Sequence, residues 1–524
     1  MTRAAVRPLP WALLAAALTA VPLLLLLLQY GAGRDQGAFL AVARAMQAGG
    51  MPYRDAWDVK PPGIFLIYRA ALLFGGGMLP VRALEALALV SQALAFAVLT
   101  RRFTGSPVPG ACAGALAILI HAQLEFWHTA QPESFGGPVL AWALVLATSP
   151  GHKALARAAA GALFGFAACL KPPLAGGGVI VAAILAWRDA RTATSGRVRA
   201  ALTPFATIAA GALAVVGCFL AWLALGGAFP DFVETFRDFV PRYTALGLVR
   251  QGLPGLAWRA FFEWFVGYSA LIPAGIALLL ACRGTEEEAW GLALVGAVLV
   301  PQLAGVALQA KFFSYHYGAA LPFGALLAAW GAARAWTRFP GRLARFAGVL
   351  LAVVLLRSES TPPSPWLHRA VSRVRAALSP ADHDRILDEL QSTGDVDAAA
   401  NRVAASWLRS VTSRGARVFV WGYEPVIYED SGRRPASRYV YDAPLRAPWY
   451  AKVAEPRLLS DLALHPPAAI VVERGDVIPQ MTGESSDSNQ ALERFAELRT
   501  LLATGYDEEK GTSRFRYFRK RAGP

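Results

Sequence analysis

The stretch that decides how this chain is interpreted follows its first apolar run. It reads Arg34-Asp35-Gln36-Gly37, continues as a short helical pattern to Met46, and ends with Pro52-Tyr53-Arg54-Asp55-Ala56-Trp57-Asp58-Val59-Lys60-Pro61-Pro62-Gly63. Carboxylates, cations and prolines are concentrated here, in a chain that is otherwise mostly apolar. A charged loop that proline stiffens, next to an apolar segment of membrane length, is where we expect the chemistry of the protein.

The composition of the whole chain is that of a polytopic α-helical membrane protein. Its 524 residues are 55% hydrophobic and only 17% charged, which is too apolar for a soluble protein of this length. The formal net charge is +15, but the arginines cluster at the ends of apolar runs, as topology determinants do, so no nucleic-acid partner is predicted. The four cysteines have neither the spacing of a metal site nor that of a disulfide framework.

Apolar length predicts about eleven transmembrane helices, and the arginines and lysines of the short loops assign their sides. An uncleaved anchor fits the first run better than a signal peptide, because no small-x-small site follows it. Three of the predicted spans, the fourth, sixth and eleventh, are shorter than the ~20 residues that a bilayer usually needs. The eleven spans lie at about 10–30, 79–100, 108–126, 135–149, 154–170, 173–187, 201–226, 264–282, 289–307, 317–336 and 344–357.

The basic loops, together with an N-terminus that carries Arg3 and Arg7, are then cytoplasmic. An odd number of spans places everything after Arg357 on the opposite side, which we predict to be extracytoplasmic. The outer loops on that side are the first outer loop 31–78, then 127–134, 171–173, 227–263 and 308–316.

The residues after Arg357 have the pattern of a small α/β domain. Helical patterns at 364–377, 381–391 and 396–412 precede two β-like apolar runs, Arg417–Trp421 and 468–473. We therefore predict a transmembrane domain 1–357 and a soluble domain 358–524. The soluble domain has no Gly-rich phosphate loop, so we expect no catalytic centre of its own. A glycan-guiding surface and ordinary packing in strands and turns are the two explanations for Trp421, Tyr423, Arg438 and Tyr439.

The predicted topology gathers polar residues of several outer loops on one face of the membrane. A charge near hydrocarbon costs several kcal/mol unless it is paired or hydrated, so such residues mark functional cavities. We interpret the set as a site that binds an anion with cations and moves a proton with a carboxylate. Beyond the first outer loop, its members are His128, Gln131, Glu133, Lys171, Lys311, Tyr315, His316 and Tyr317.

Each of these residues also has a purely structural explanation. Asp35 precedes a helical pattern, so it can serve as an N-cap. Asp55 and Asp58 stand among turn formers and can cap turns. A lysine before two prolines can extend to lipid headgroups, and a histidine between tyrosines can belong to an aromatic belt; these are the alternatives for Lys60, Lys171 and His316.

The stretch 34–63 resembles the first outer loop of the GT-C glycosyltransferases. Within them it is most similar to a bacterial branch related to the protein O-mannosyltransferases, the aminoarabinose transferase of lipid A and the rhizobial core-oligosaccharide galacturonosyltransferases. The resemblance covers about residues 10–340. Gln36 stands where the eukaryotic mannosyltransferases have a second carboxylate, which disfavours a metal because a hard cation takes several oxygen ligands. Further matching pieces are His128-Thr129-Ala130-Gln131-Pro132-Glu133, Lys311, Tyr315-His316-Tyr317 and Pro322.

The resemblance implies an inverting enzyme of the bacterial inner (plasma) membrane that works on the periplasmic face. It would move a hexosyl or pentosyl group from a polyprenyl-phosphate sugar to an envelope glycan such as lipopolysaccharide, to a lipid or to a protein, with no cofactor and no metal. Asp35 is then the general base and Lys60 the first cation on the donor phosphate. Candidates for a second cation are Arg34, Lys171 and Lys311, and the predicted substrate-binding residues are Asp55, Asp58, Gln131, Glu133, His316 and Tyr317.

Two other classes of protein remain open, namely a transporter or flippase of a lipid-linked sugar and a non-catalytic lipid-binding scaffold. Transporters place polar residues and broken helices near the bilayer midplane, often in two repeated halves. Here the centres of the predicted spans carry few charges and no repeat is visible. Release of free polyprenyl phosphate from a polyprenyl-phosphate sugar separates a transferase from both alternatives.

Overall fold

A helix lies at each of the eleven positions that the sequence predicts as spans. The computed structural model describes residues 10–248, 252–357, 366–392 and 396–521, so Arg3 and Arg7 fall outside the described residues. The helices at the predicted positions are Pro10–Leu27, Leu79–Thr104, Val108–Gln123, Pro132–Ala147, Lys153–Leu170, Gly177–Thr192, Arg197–Leu225, Leu271–Ala281, Glu286–Gln309, Leu321–Arg338 and Arg342–Arg357.

The structure does not confirm that all eleven cross a membrane. By length and composition, five helices of the described residues are long and apolar enough to do so, or six if the pair Leu253–Val266 and Leu271–Ala281, bent by 94°, forms one span. Val108–Gln123, for example, has 16 residues, fewer than the roughly 20 needed to cross the hydrocarbon core. The five are Leu79–Thr104, Lys153–Leu170, Pro172–Thr192, Arg197–Leu225 and Glu286–Gln309.

The chain forms two compact units, whose limits differ from the predicted division at residue 357. The helical unit comprises Met1–Tyr30, Arg82–Phe219 and Gln251–Val371, and the mixed unit comprises Gly31–Val81, Leu220–Arg250 and Ser372–Pro524. The first outer loop thus belongs to the same unit as the C-terminal residues, and not to the remainder of the predicted transmembrane domain. The physical reason is that its helix Arg34–Gln47 packs against the C-terminal helix Val426–Ser431.

Close helix packing and a buried charge network shape the helical unit. The helices Lys153–Leu170 and Arg197–Leu225 approach so closely that a Cβ at Gly161 would clash with the carbonyl oxygen of Ile208, as is usual where small residues line helix contacts. Glu85 accepts from Arg82 at 2.9 Å and contacts His121 at 2.9 Å. Arg82 also donates to the carbonyl oxygen of Phe126 at 2.8 Å, which fixes the segment before the predicted second outer loop.

The mixed unit is built around a five-stranded sheet in the order β2-β1-β3-β5-β4. Its strands are β1 Arg417–Trp421, β2 Arg434–Pro435, β3 Ala469–Glu473, β4 Tyr506–Glu509 and β5 Phe515–Lys520. β1 pairs in parallel with β2 and β3, whereas β3–β5 and β4–β5 are antiparallel. The two predicted apolar runs are therefore confirmed as β1 and β3, and every residue of β3 is buried, as is typical of parallel strands covered on both faces.

Helices from three parts of the chain accompany this sheet in the mixed unit. The first loop contributes Arg34–Gln47 and Gly63–Ala71, and the segment 229–248 contributes Phe229–Glu234, the π-helix Thr235–Phe239 and Val240–Leu248. The C-terminal helices wholly within the unit are His383–Gln391, Ala398–Val411, Val426–Ser431, Ala443–Arg446, Ala451–Leu464, Pro479–Thr482, Ser488–Arg494 and Ala496–Gly505; the helix Trp366–Leu378 contains the unit boundary after Val371. Short 3-10 helices of the helical unit lie at Phe126–His128, Pro172–Gly176 and Ser314–Tyr317.

Candidate functional site

The carboxyl ends of the parallel strands β1 and β3 meet the start of the first-loop helix Arg34–Gln47. The Arg34 Nε donates to Glu424 Oε1 at 3.0 Å, and its Nη2 donates to Glu473 Oε1 at 3.1 Å. Arg34 is only 7% exposed. The structure thus places this predicted phosphate cation inside the unit, where it joins the first loop to the sheet.

Further donors surround the two carboxylates that hold Arg34. Glu473 also accepts from Arg514 Nη2 at 2.8 Å, and from the backbone N–H of Tyr423 at 2.7 Å. Asn401 Nδ2 donates to Glu424 at 2.7 Å. Burial raises the pKa of both glutamate carboxyl groups, because taking a charge out of water disfavours its ionised form. The cations and hydrogen-bond donors of this network therefore favour the ionised forms of Glu424 and Glu473, which burial disfavours.

Asp35 lies in the first turn of the helix but does not cap it. The N-cap residue is Gly33, whose N–H donates to Gln36 Oε1 at 3.0 Å. The explanation of Asp35 as an N-cap is therefore wrong, and Gln36 has the capping role. The Asp35 Oδ1 accepts from the Tyr423 hydroxyl at 2.9 Å, while its Oδ2 lies 3.7 Å from the Lys60 ammonium.

Lys60 is held by its backbone and presents its ammonium group to Asp35. Its N–H donates to Asp58 Oδ1 at 2.8 Å, and its carbonyl oxygen accepts from the Tyr53 hydroxyl at 2.7 Å. The Lys60 and Asp35 side chains are 20% and 21% exposed, so both remain accessible to a ligand. A carboxylate that can take a proton and an ammonium group that can bind an anion therefore lie side by side.

Asp58 is buried beneath this pair. The Tyr441 hydroxyl donates to its Oδ2 at 3.2 Å, and burial raises the pKa of Asp58 to about 6. Asp55 has a different environment, because its Oδ2 accepts from the Met51 N–H at 2.7 Å and pairs with Arg54 at 2.7 Å. The Met51 N–H that Asp55 accepts and the Lys60 N–H that Asp58 accepts match the turn-capping explanation of these two aspartates.

We expect Asp58→Asn to remove a pH dependence of stability. In the folded protein this carboxyl group binds its proton more tightly than at its ordinary pKa of 3.8, so the free energy of unfolding falls as pH rises from about 4 to about 6 and then levels off. A rise of about two pKa units corresponds to about 3 kcal/mol. The amide remains neutral, and its oxygen can still accept the Lys60 N–H. The Tm of the variant relative to wild type should therefore increase between pH 4 and pH 7 in thermal unfolding experiments.

Asp507→Asn is the matched control for this experiment. Asp507 is 66% exposed and pairs with Arg521 at 2.8 Å, so the same chemical change occurs at the surface of the same unit. Its Tm difference from wild type should stay small and nearly constant over that pH range. A Tm difference for Asp58→Asn that also stays constant would contradict the expected titration.

The other predicted site residues lie in the helical unit, where Glu133 and Lys171 form an ion pair. Their side chains are 2% and 16% exposed. The Lys171 ammonium also lies 5.9 Å from the centre of the Tyr315 ring, a cation–π distance. The charge of this second candidate phosphate cation is thus matched by a carboxylate within its own unit.

The remaining predicted residues of the helical unit occupy loops and helix starts. Tyr317 donates its hydroxyl to Glu263 Oε2 at 2.8 Å, and the His316 ring stands edge-on to Tyr315 at 4.5 Å. Gln131 is the N-cap residue of Pro132–Ala147, and its Nε2 donates to the carbonyl oxygen of Trp127. Lys311 lies between the positive-φ residues Ala310 and Phe312.

The structure thus joins Arg34, Asp35, Asp58 and Lys60 in one cluster with four C-terminal residues, of which the sequence analysis named only Tyr423, and that for a different role. These are Tyr423, Glu424, Tyr441 and Glu473. A usable signal existed, because Tyr423 and Glu424 follow β1 closely and Glu473 ends β3, and functional groups gather at the carboxyl ends of parallel strands.

The predicted glycan-guiding surface on the C-terminal residues is wrong. Trp421 and Tyr439 are 2% and 0% exposed and belong to the core of the mixed unit. Arg438 pairs with Asp461 at 3.0 Å, and Tyr423 contacts Asp35. These side chains are therefore packed within the unit, as the structural alternative predicted.

Comparison with solved structures decides the fold. The chain matches crystal structures of ArnT from Cupriavidus metallidurans in the apo state and bound to undecaprenyl phosphate, with TM-scores of 0.61 and 0.58 and identities of 15% and 17%. Each match covers 98% of this chain and 99% of the ArnT chain. The chain has the GT-C fold. The fold inferred from the first-loop residues is thereby confirmed.

Other comparisons add little to the GT-C assignment. The archaeal oligosaccharyltransferase AglB from Archaeoglobus fulgidus matches 97% of this chain and 74% of its own at 13% identity, but its TM-score of 0.47 is too low to support a conclusion. No family model and no curated protein matches the sequence. Among the described residues of this GT-C chain, no group of three or more His, Cys, Asp or Glu side chains could hold a metal ion. The absence of a metal from the reaction stays a prediction.

Proposed function

We propose that this protein is an integral-membrane glycosyltransferase that moves a sugar from a polyprenyl-phosphate donor to an acceptor of the cell envelope. The observation that carries the proposal is the Asp35–Lys60 pair, 3.7 Å apart at the start of a first-loop helix, in a chain with the GT-C fold. ArnT from Cupriavidus metallidurans, which shares this fold, was crystallised with undecaprenyl phosphate. An accessible lysine of a membrane protein can bind the phosphate of a lipid-linked donor through its positive charge.

Asp35 is the general base of the proposed reaction. The Tyr423 hydroxyl occupies one of its oxygens at 2.9 Å, while the distance of 3.7 Å between the other oxygen and Lys60 exceeds that of a strong hydrogen bond. A carboxylate held in this way is oriented and can take a proton from an acceptor hydroxyl. A base must come within about 2.6–3.2 Å of the acceptor hydroxyl, which the partial exposure of Asp35 permits.

Lys60 is the cation on the donor phosphate. Its ammonium group is a compact charge with three N–H donors, and Asp58 and Tyr53 hold its backbone from either side. Because negative charge grows on the phosphate as the sugar leaves, a fixed cation stabilises the transition state more than it stabilises the bound donor. Lys171 and Lys311 are retained as candidates for a second cation. Arg34 is not, because two buried carboxylates already hold it.

The finer features of the proposal follow from this chemistry and from the resemblance. The leaving phosphate needs little protonation, so one carboxylate suffices for a single displacement with inversion of a hexosyl or pentosyl group. The active face is extracytoplasmic, at the bacterial inner membrane, with a cytoplasmic N-terminus. Lipopolysaccharide is one acceptor of the expected kind, alongside other glycans, lipids and proteins of the envelope.

The test is release of free polyprenyl phosphate by the purified protein from polyprenyl-phosphate sugars, in the presence of envelope lipid and glycan acceptors. We expect acceptor-dependent release with at least one donor of a panel that spans hexosyl and pentosyl sugars. A flippase would move the intact donor between vesicle leaflets, and a scaffold would bind it unchanged. Binding or translocation of intact donor without release across the panel would overturn the proposal.

Lys60→Ala should weaken both donor binding and catalysis. A hydrogen bond to a charged group contributes about 1.5–3 kcal/mol, so we expect kcat/KM for the donor to fall by about 10- to 100-fold, with an increase in KM and a decrease in kcat. Steady-state kinetics with varied donor concentration measure both. Lys452→Ala removes an exposed lysine of the same unit and should leave both constants near wild type. An unchanged donor KM in Lys60→Ala would show that this lysine does not bind the phosphate.

A further inference from the structure

Two C-terminal tyrosines each contact one of the first-loop carboxylates Asp35 and Asp58. The Tyr423 hydroxyl donates to Asp35 Oδ1 at 2.9 Å, and the Tyr441 hydroxyl donates to Asp58 Oδ2 at 3.2 Å. The two phenol rings lie against each other, with centroids 4.7 Å apart. The tyrosines thus form a contiguous pair beneath both carboxylates.

The turn that follows β1 places both tyrosines. Tyr423 comes two residues after the end of β1, and its N–H donates to Glu473 Oε2 at 2.7 Å. The residue after Tyr441, Asp442, donates its N–H to the carbonyl oxygen of Gly422 at 3.1 Å. A Cβ at Gly422 would lie 2.7 Å from Glu473 Oε2, so glycine is required for the turn to close on this carboxylate. Both phenols are therefore anchored to one rigid part of the sheet.

The direction of both hydrogen bonds is fixed by burial. Tyr423 and Tyr441 are 6% and 1% exposed, and burial, together with the nearby aspartates, raises the pKa of both phenols well above the ordinary value. They are neutral at physiological pH and donate to the carboxylates. A neutral donor on one carboxylate oxygen fixes the orientation of the group without competing for the proton that the other oxygen must take.

We infer that Tyr423 and Tyr441 are positioning residues of the transfer site, an inference that rests on the proposed function. Tyr423 orients the carboxylate of the general base Asp35, and Tyr441 acts through Asp58 on the backbone of Lys60. The C-terminal sheet is then an integral part of the catalytic centre. The expectation that the soluble domain has no catalytic centre of its own is compatible with this, because the reacting groups come from the first loop.

Tyr423→Phe tests the inference by removing a single oxygen atom. We expect kcat to fall about 10- to 100-fold, because the carboxylate of Asp35 is no longer held in its orientation. The donor KM should stay within about twofold of wild type, because Lys60 is unchanged. Tyr506→Phe is the matched control. Tyr506 is also 6% exposed and belongs to β4 of the same sheet, and its hydroxyl donates to the carbonyl oxygen of Pro467 at 2.8 Å. It should lose a comparable amount of stability and keep its kcat.

Combined variants separate positioning from a general structural effect. In an Asp35→Asn background, Tyr423→Phe should cause no further loss of kcat, because the base that Tyr423 orients is already absent. In a Lys60→Ala background, Tyr423→Phe should lower kcat by the same factor as in the wild type. Tyr441→Phe should likewise lower turnover in the wild type and cause no further loss in an Asp58→Ala background, which removes the group through which Tyr441 acts. A merely structural role predicts the same additional loss in every background.

The outcomes for this inference and for the proposed function are distinguishable. Acceptor-dependent release by the wild type together with full turnover of Tyr423→Phe overturns the inference and leaves the proposed function standing. Equal losses of kcat in Tyr423→Phe and Tyr506→Phe overturn it as well. A wild-type protein that binds or moves the donor without releasing polyprenyl phosphate overturns both.

Discussion

Asp35→Asn should lower kcat by roughly 10²–10⁴ and leave the donor KM nearly unchanged, because it removes the proposed general base and leaves the proposed phosphate cation Lys60 in place. The asparagine oxygen can still accept the Tyr423 hydroxyl, which lies 2.9 Å from Asp35 Oδ1. The amide cannot take a proton from the acceptor hydroxyl, however. Release of polyprenyl phosphate at saturating donor and acceptor measures the loss.

Helix capping does not offer another explanation for such a loss. The helix Arg34–Gln47 is capped at Gly33 by the Gln36 side chain, and asparagine in the first turn leaves that cap intact. The Tm of Asp35→Asn should therefore stay close to wild type. Asp238→Asn, which changes an exposed aspartate paired with Arg237 in the same unit, is the control for the chemical change and should keep full activity. Near-normal turnover of a folded Asp35→Asn protein would end the assignment of the base.

Arg34→Met should destabilise the mixed unit by about 3–5 kcal/mol, the usual cost of removing one partner of a buried ion pair. The variant keeps an apolar side chain of similar length but leaves the buried carboxylates Glu424 and Glu473 without the cation that bridges them. The loss should be smaller at pH 5 than at pH 8. The pKa of each carboxyl group is already raised by burial, so without the cation both take up protons more readily as the pH falls.

Arg44→Met is the matched control, since Arg44 stands ten residues later on the same helix and also pairs with a C-terminal glutamate. Its ion pair with Glu429 has a similar length, 2.7 Å, but its side chain is 42% exposed. An exposed pair of this kind contributes at most about 1 kcal/mol. Denaturant unfolding of both variants compares the two sites. Equal small losses would show that Arg34 does not hold the first loop to the sheet, and its role as a phosphate cation would then be reopened.

The sequence alone determined those properties that depend on composition and local pattern. An apolar excess indicates a membrane protein whatever the partners of each helix. The helical pattern that ends at Met46 and the strands Arg417–Trp421 and Ala469–Glu473 follow from short-range periodicity, whereas the start of that helix at Arg34 was not predicted. The resemblance of residues 34–63 predicted the GT-C fold, which comparison with ArnT confirmed. The number of membrane-crossing helices was less well determined, because several apolar runs lie near the length at which a helix can span.

The partners of the first-loop charges, in contrast, were decided only by tertiary structure. Tyr423 stands 388 residues from Asp35, and Glu424 stands 390 residues from Arg34. No local pattern records such a pairing, because the sheet that creates it forms from strands far along the chain. The same long-range burial separates Asp58, enclosed and with a raised pKa, from Asp35, which stays accessible on the same loop. Residue type and spacing therefore indicated the candidate groups, whereas burial and long-range hydrogen bonds decided which of those groups remain accessible to a ligand.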